Sequence, residues 1–242
     1  MDRTLIRVSG GDREKFLHGL VTRDVPAEGL GYAALLSAQG KYLADFLPWR
    51  EDDAIWLDAP AALGAGLVQR LGLYKLRADV AVEATERTVA AGTGTAPDGA
   101  MADPRPGMGW RRPDGDGDDG TDWDAVRVEH LVPEAGAELI PNESYVLEMG
   151  FERLGGVDFR KGCYVGQEVT ARMKHKTELR KGLARVTVEG DAAPGDPITA
   201  DGKPVGTLHT RSGDRALAYL RFDRAAGGMR AGEAAVTLDA RG

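Results

Sequence analysis

Short runs that alternate between apolar and polar positions dominate the first third of the chain. "TLIRVSG" predicts a strand, and Phe16, Leu17 and Leu20 recur at helical spacing in "GDREKFLHGLVTRDV", with Asp12 as the expected N-cap. "YAALLSAQGKYLADFLPWR" predicts a β-hairpin that turns at Gln39-Gly40, and "AIWLDAP" predicts a further short strand.

Helical and strand patterns alternate through the middle of the chain. "AALGAGLVQRLGLYKLRADV" predicts an amphipathic helix that leads into the strand "ADVAVEAT". "AVRVEHLVPEAGAEL" predicts the start of another helix, and "GQEVTARMKHKTE" predicts a helix that begins near Gly166. Helices that alternate with hairpins favour an α+β fold over a parallel doubly wound sheet.

The pattern changes from Leu183 onwards. "LARVTVEG", "DPITADGKPVGTLHT", "RALAYLRF" and "EAAVTLDA" are short alternating runs that Gly, Pro and Asp separate. Such runs are typical of a small antiparallel barrel. The sequence therefore predicts an α+β body over residues 1–182 and a C-terminal β-barrel over residues 183–242.

Charge restricts the class of ligand. The chain of 242 residues carries a formal net charge of -7, which disfavours nucleic acid as the primary ligand.

"RRPDGDGDDGTDWD" resembles a calcium loop, but Asp119 and Ala125 stand where Gly and Glu are needed, so a solvated acidic loop is favoured and no metal site is predicted.

A local basic run, "RMKHKTELRK", stands out in this acidic protein. It contains five basic residues: Arg172, Lys174, Lys176, Arg180 and Lys181. The run is either a solvated helix end, where cations are favourable, or a docking patch for a carboxylate-bearing tail or an acidic partner.

The cysteine count and the apolar runs bear on compartment. One cysteine excludes an internal disulfide and an iron–sulfur cluster held by four thiolates of a single chain. No stretch has the length of a membrane helix, and the first residues lack the apolar segment of a signal peptide. The expected location is the cytoplasm, with no membrane partner.

That single cysteine, Cys163, lies in "FRKGCYVGQE". Lys161 and the start of the following helix both favour the thiolate, Gly162 and Gly166 free the backbone, and Tyr164 stacks on a flat ring or covers the sulfur. Two other interpretations remain open, a small buried apolar filler and a cysteine–histidine nucleophile. The four histidines occur in no recognisable cysteine-hydrolase motif and show no zinc-site spacing: His18, His130, His175 and His209.

"KGCYVGQE", Lys161 to Glu168, resembles the signature of the YgfZ-type folate-binding proteins, which are similar to the aminomethyltransferase (T-protein) of the glycine cleavage system. Other segments resemble the same family in the same order along most of the chain: "FLHGLVTRDV", "LLSAQGKYLADF", "DPRPGMGWR", "LIPNE", "GKPVGTLHT" and "ALAYLRFD".

This resemblance implies two α+β parts around a central opening, a C-terminal barrel, and tetrahydrofolate or a one-carbon derivative bound in the opening. It also implies support for the assembly or repair of iron–sulfur enzymes, with client or assembly proteins as partners. Cys163 is then a redox-active candidate, with Lys161 beside it.

The enzyme alternative is a folate-dependent aminomethyltransferase. That relative has paired aspartates in the hairpin, whereas this chain has Ala44-Asp45, so Asp45 is the remaining candidate for acid–base chemistry. A plain interaction module is the third class.

A folate site needs an aromatic or aliphatic wall, a carboxylate for the pterin N–H groups, and cations for the glutamate tail. Glu143 is the expected carboxylate and Tyr164 the expected wall. The full set of predicted folate contacts is Arg127, Glu143, Tyr164, Gly166, Gln167 and Glu168.

Overall fold

A computed structural model of the chain describes residues 2–175, 178–225 and 227–242. The helices are α1 (Arg13–His18), α2 (Ala61–Lys75), α3 (Trp123–His130) and α4 (Gln167–His175). The strands are β1 (Arg3–Ser9), β2 (Ala33–Leu36), β3 (Tyr42–Glu51), β4 (Ala54–Pro60), β5 (Ala81–Thr85), β6 (Val89–Gly92), β7 (Met101–Ala102), β8 (Trp110–Pro113), β9 (Lys181–Glu189), β10 (Pro197–Ala200), β11 (Lys203–Ser212), β12 (Arg215–Arg221), β13 (Met229–Ala231) and β14 (Ala234–Arg241).

An antiparallel sheet with the order β2-β3-β4-β1-β5 forms the centre of the body. Both faces of this sheet are covered, because Leu5 packs into one apolar core while its neighbour Ile6 packs into another. α1 and α2 contribute Leu17, Leu67 and Leu71 to the second core. Burial on both faces explains why β1 has apolar residues at adjacent positions.

The predicted hairpin is confirmed. β2 and β3 pair antiparallel, with Ala34 opposite Asp45, and the chain turns through Gly40 at a φ of +72°. Positive φ favours glycine at this position, because an L side chain there meets its own backbone. The turn is closed by the Ser37 N–H, which donates to the carbonyl of Lys41 at 2.8 Å.

A second, three-stranded sheet has the order β6-β8-β7. Between the two sheets lies a chain of charged side chains that we call the interior network: Arg3, Asp58, Arg111, Asp103 and Arg105. Arg3 donates to Asp58 at 2.6 Å, Arg111 lies 3.6 Å from Asp58 and 3.3 Å from Asp103, and Arg105 pairs with Asp103 at 2.6 Å. All five side chains are at most 10% exposed, so the network joins the two sheets through buried charge.

The C-terminal segment is a closed six-stranded barrel with the order β10-β11-β12-β9-β14-β13. Its interior is filled by small and branched apolar side chains, among them Val186, Ile198, Leu208 and Leu220. The predicted α+β class with a C-terminal barrel is therefore confirmed. The division of the chain at residue 182 into two domains stays a prediction.

The starts of α1 and α4 agree with the predicted positions, but the cap of α1 differs. Asp12 precedes α1 as expected, but its side chain does not cap the helix. The Asp12 carboxylate instead accepts the N–H of Asp79, at 2.9 Å, because the loop after α2 lies against the start of α1. α4 begins next to Gly166 as predicted, whereas Lys176 and Thr177, at the end of the predicted helix, lie outside the described residues.

None of the helices in residues 2–175, 178–225 and 227–242 combines the length and the apolar character that a membrane crossing requires.

Candidate functional site

Cys163 lies on the turn that precedes α4, and it is exposed. Gly166, the last residue of this turn, has a φ of +83°, and a Cβ at that position would lie 2.6 Å from the carbonyl oxygen of Ser37. The glycine thus allows the turn to pack closely on the β2–β3 hairpin. The consequence is a thiol presented to solvent from a turn that is held at its base.

Lys161 fixes the other end of the turn. Its ammonium donates to the carbonyls of His18 and Val21, at 2.8 and 2.7 Å, and lies 3.1 Å from the Asp24 carboxylate. Burial lowers the pKa of Lys161, and hydrogen bonding to Asp24 opposes that shift. Lys161 is the residue predicted to stabilise the thiolate. The hydrogen bonds that its ammonium donates go to the segment around α1.

The other motif residues have different surroundings. Tyr164 is buried in the core of the body, where burial raises the pKa of its hydroxyl. Gln167 is partly buried at the start of α4, and Glu168 is exposed and pairs with Arg172 at 2.8 Å. Tyr164 consequently anchors the turn from below and does not form the wall of an open slot.

A cavity of about 790 Å³ lies where the end of α4 meets the barrel. We call it the barrel cavity. Its apolar wall includes Met173, Leu179 and Val205, and Tyr219 adds an aromatic ring. This volume lies within the usual range for pockets that hold small molecules.

Glu148 is a buried acid that borders this cavity. The Tyr219 hydroxyl donates to the Glu148 carboxylate at 2.5 Å, and the Lys181 ammonium lies 3.7 Å from it. Glu148 is only 8% exposed, and burial followed by this hydrogen bond raises the pKa of Tyr219 well above its ordinary value. The cavity thus has a carboxylate fixed against an aromatic ring.

Four cations also line the barrel cavity: Arg180, Lys181, Arg221 and Arg224. Lys181 is near Glu148, and Arg221 lies 3.5 Å from Asp223. Within the described part of the chain, the side chains of Arg180 and Arg224 make no ion pair. The basic run of the sequence therefore meets cations of the barrel, and two guanidinium groups face the cavity without an acidic partner.

Asp45 occupies a separate, buried position. Its carboxylate accepts hydrogen bonds from the hydroxyls of Tyr42 and Tyr32, at 2.6 and 3.2 Å. Burial, followed by the charge of Asp45, raises the pKa of both tyrosines well above the ordinary value. Asp45 is not among the residues that line the barrel cavity.

Arg127 is also committed to internal contacts. Its guanidinium pairs with Glu138 at 2.9 Å and Asp124 at 2.8 Å, and it donates to the Thr210 hydroxyl at 2.9 Å. Burial lowers the pKa of Arg127, but the surrounding carboxylates, Glu138 foremost, outweigh that effect and raise it. These bonds join α3 to β11, so the structure places this predicted folate contact in the junction between body and barrel.

Glu143, the carboxylate expected to meet the pterin, is exposed, and its backbone carbonyl accepts a hydrogen bond from Lys41. The sequence reasoning missed Glu148, five residues later. One signal was available: Glu148 is a lone carboxylate inside the apolar run "YVLEMGF", where an unpaired charge is costly.

The chain is similar to several known proteins. Residues 180–241 match the family described as "CAF17, C-terminal beta-barrel domain". The chain is 32% identical to the "Iron-sulfur cluster assembly factor IBA57, mitochondrial" of Mus musculus, over 91% of this chain and 76% of that protein. It is also 32% identical to the Homo sapiens protein of the same name, over 93% and 77% of the two chains.

Among solved structures, the chain resembles the glycine cleavage system aminomethyltransferase T from Bartonella henselae. The TM-score is 0.78 and the match covers 99% of this chain and 83% of that one. The sequence identity is 13%, so this likeness shows a shared fold.

The expected cytoplasmic location is contradicted by the sequence relatives, since the Mus musculus and Homo sapiens proteins and a further one from Phaeosphaeria nodorum all have mitochondrial names. The expectation rested on the lack of a recognisable targeting segment or membrane span. Such a lack does not distinguish one aqueous compartment from another.

Proposed function

This chain belongs to the family of the IBA57 iron–sulfur cluster assembly factors, and we propose from that membership that it supports the assembly or repair of iron–sulfur proteins. Cys163 is the reacting thiol in this proposal, and the barrel cavity binds tetrahydrofolate or a one-carbon derivative. The observation that carries the first part is the exposed single thiol on a turn that is anchored at both ends.

The ligand count favours action on a cluster that another protein holds. An iron–sulfur cluster takes about four thiolate ligands, and this chain has one cysteine. Cys163 therefore supplies at most one sulfur, and the others come from an iron–sulfur client or an assembly partner. An exposed thiol suits such a contact, because the sulfur reaches a partner without local unfolding.

The barrel cavity fits a reduced pterin with a glutamate tail. Glu148 accepts hydrogen bonds of the kind that pterin amino and ring N–H groups donate, and Tyr219 and Met173 provide an apolar wall. Arg180 and Arg224 are available for the carboxylates of the tail. Tetrahydrofolate, when bound, supplies a carrier for one-carbon groups.

α4 links the two sites. The helix begins directly after the Cys163 turn and carries Met173 to the cavity wall. Met173 lies six positions after Gln167, which corresponds to a rise of about 9 Å along the helix. One short helix therefore connects a ligand that contacts Met173 with the turn that carries the thiol. This arrangement agrees with the resemblance of "KGCYVGQE" to the YgfZ-type folate-binding proteins.

An aminomethyltransferase is the second candidate, and the fold likeness to aminomethyltransferase T favours it. The location of Asp45 counts against it. Acid–base chemistry on a folate nitrogen needs a carboxylate beside the ligand, whereas Asp45 is bonded to Tyr32 and Tyr42 in the interior. An assay with aminomethylated carrier protein and tetrahydrofolate separates the two, and robust ammonia release would overturn the assembly proposal.

Replacement of the thiol tests the assembly role. We expect Cys163→Ser to abolish support of iron–sulfur enzymes in cells and to leave the melting temperature within about 2 °C of wild type, because the side chain is exposed. Lys203→Ala, at an exposed position in the barrel, serves as a control that retains function. A Cys163→Ser protein that supports these enzymes as well as wild type would overturn the proposed role of the thiol.

A further inference from the structure

The outer face of α2 exposes apolar side chains. Within the described residues, the large apolar side chains that remain exposed are Leu73, at 71%, and Leu76, at 89%. The opposite face of the helix buries Leu67 and Leu71 against the central sheet. Leu76 has a φ of +45°, an unfavourable value for a residue with a side chain, and it projects from the end of the helix.

A groove of about 410 Å³ runs beside this face. α2 contributes Gly66 and Leu73 to it, the β2–β3 hairpin contributes Leu35 and Leu43, and Pro141 closes one side. A Cβ added at Gly66 would meet no atom within 4 Å. The groove is therefore open enough to admit side chains of another protein segment.

Positive charge surrounds these apolar residues. Arg70 lines the groove, and Lys75 and Arg77 lie exposed beside Leu76. In the described part of the chain these three side chains make no ion pair, and no carboxylate lines the groove. The face is thus cationic and apolar on a protein with a net charge of -7.

We propose that the α2 groove, with Leu73, Leu76, Arg70, Lys75 and Arg77 around it, docks an acidic amphipathic helix of a partner protein. Leucine-type side chains of that helix fill the groove and cover Leu73 and Leu76, while its glutamates or aspartates face the three cations. Charge complementarity of this kind speeds association and restricts the choice of partner.

The shape of the surface favours a protein helix over the other occupants. Two exposed leucines bury little area in a lipid surface, and the groove is concave. A second copy would bring three more cations to the same face if it docked symmetrically, which is unfavourable.

The groove is connected to the thiol turn through one hairpin. Leu35 and Leu43 line the groove, and Gly40, between them in sequence, packs against Gly166 at the base of the Cys163 turn. A partner helix docked on α2 therefore lies on the same hairpin that supports the thiol. The proposal does not depend on folate binding, since no residue of the barrel cavity takes part.

The test uses the full chain and a fluorescein-labelled synthetic helix with leucines at the i, i+3, i+4 and i+7 positions and glutamates elsewhere. Fluorescence anisotropy is expected to show binding that weakens with salt. The Leu73→Asp, Leu76→Asp double variant and Arg70→Glu are each expected to weaken binding at least tenfold. Gly66→Gln, which fills the groove from an exposed helix position, is expected to do the same without loss of thermal stability.

A control variant, a control peptide and two further measurements distinguish an acidic partner helix from other occupants of the groove. Arg230→Glu, an exposed charge reversal on the barrel, should bind the peptide like wild type. Equal binding of a peptide with lysines in place of the glutamates, or of the double variant, would overturn the proposal. Binding to phosphatidylglycerol vesicles without binding to the peptide would identify a lipid surface instead. Sedimentation of wild type as a dimer, and of the double variant as a monomer, would identify a second copy.

Discussion

The interior network and the barrel cavity are both built from arginines and carboxylates, but they differ in how many charges have a partner. In the interior network, Asp103 is bonded by Arg105 and contacted by Arg111, and all three side chains are nearly inaccessible. In the barrel cavity, Glu148 is buried, whereas Arg180 and Arg224 face open space without an acidic partner in the described residues.

This difference separates structural charge from charge that is available for binding. A buried ion pair has already lost its water and exchanged it for a fixed partner, so its removal destabilises the fold. Cations at an open cavity retain their water and release it only when an anionic ligand arrives. The comparison predicts stability effects in the interior network and affinity effects in the barrel cavity.

The largest expected effect is the loss of a carboxylate from the interior network. Asp103→Ala leaves the guanidinium of Arg105 buried without its main partner, and we expect the free energy of unfolding to fall by about 3–5 kcal/mol. Chemical denaturation monitored by circular dichroism measures this change. A loss below about 1 kcal/mol would mean that water or another group replaces Asp103.

Acid should remove the contribution of the Asp103 carboxylate to the free energy of unfolding. Burial raises the pKa of Asp103, but the charges of Arg105 and Arg111 outweigh it, so the net pKa lies below the ordinary value of 3.8. Because the folded-state pKa is depressed, the stabilisation is complete above the unfolded pKa and is lost as pH falls through the folded one. The stability difference between wild type and Asp103→Asn should be constant from neutral pH to about pH 5 and shrink below about pH 4. A difference that disappears near neutral pH would contradict the network.

The next effect concerns the acid of the barrel cavity. Glu148→Gln keeps the shape of the side chain and removes its charge, and we expect the affinity for 5-formyltetrahydrofolate to fall roughly tenfold to a hundredfold, as for a lost charged hydrogen bond. Isothermal titration calorimetry gives the ratio. Glu143→Gln, at an exposed carboxylate five residues earlier in the chain, is the matched control and should bind like wild type. Equal losses of affinity in both variants would mean that Glu148 does not bind the pterin.

The smallest effect should come from the two free guanidinium groups. Arg180→Ala with Arg224→Ala is expected to weaken folate binding by about fivefold and to reduce its salt dependence, because exposed charges are screened. A tetrahydropterin that lacks the glutamate tail should bind wild type and variant equally. If the tail-free ligand loses affinity to the same extent, these arginines do not contact the tail.

Local patterns were sufficient to predict much of the fold. Alternation, glycine turns and spacing are properties of neighbouring residues, and they predict the β2–β3 hairpin, the helix after Gly166 and the barrel strands from Leu183 onwards. The exposed turn at Cys163 likewise follows from the glycines on either side of it.

Local sequence patterns do not predict contacts between residues that are distant in the chain. Asp103, Arg105 and Arg111 lie in a segment rich in Gly and Pro, and their burial depends on strands that the chain reaches from elsewhere. Arg127, which the resemblance predicts as a folate contact, pairs with Glu138 and donates to Thr210 across the junction with the barrel, and its sequence neighbours do not reveal these contacts. The position of Glu148 beside an aromatic ring depends on Tyr219 of β12, which is distant from it in sequence.

A crystal structure of the protein with 5-formyltetrahydrofolate would show directly whether the barrel cavity is the folate site next to the Cys163 helix. We expect ligand density in this cavity, with the pterin against Glu148 and Tyr219 and the tail carboxylates at Arg180 and Arg224. Density beside Asp45 or Arg127, or an empty cavity at a ligand concentration that saturates the protein in solution, would contradict it.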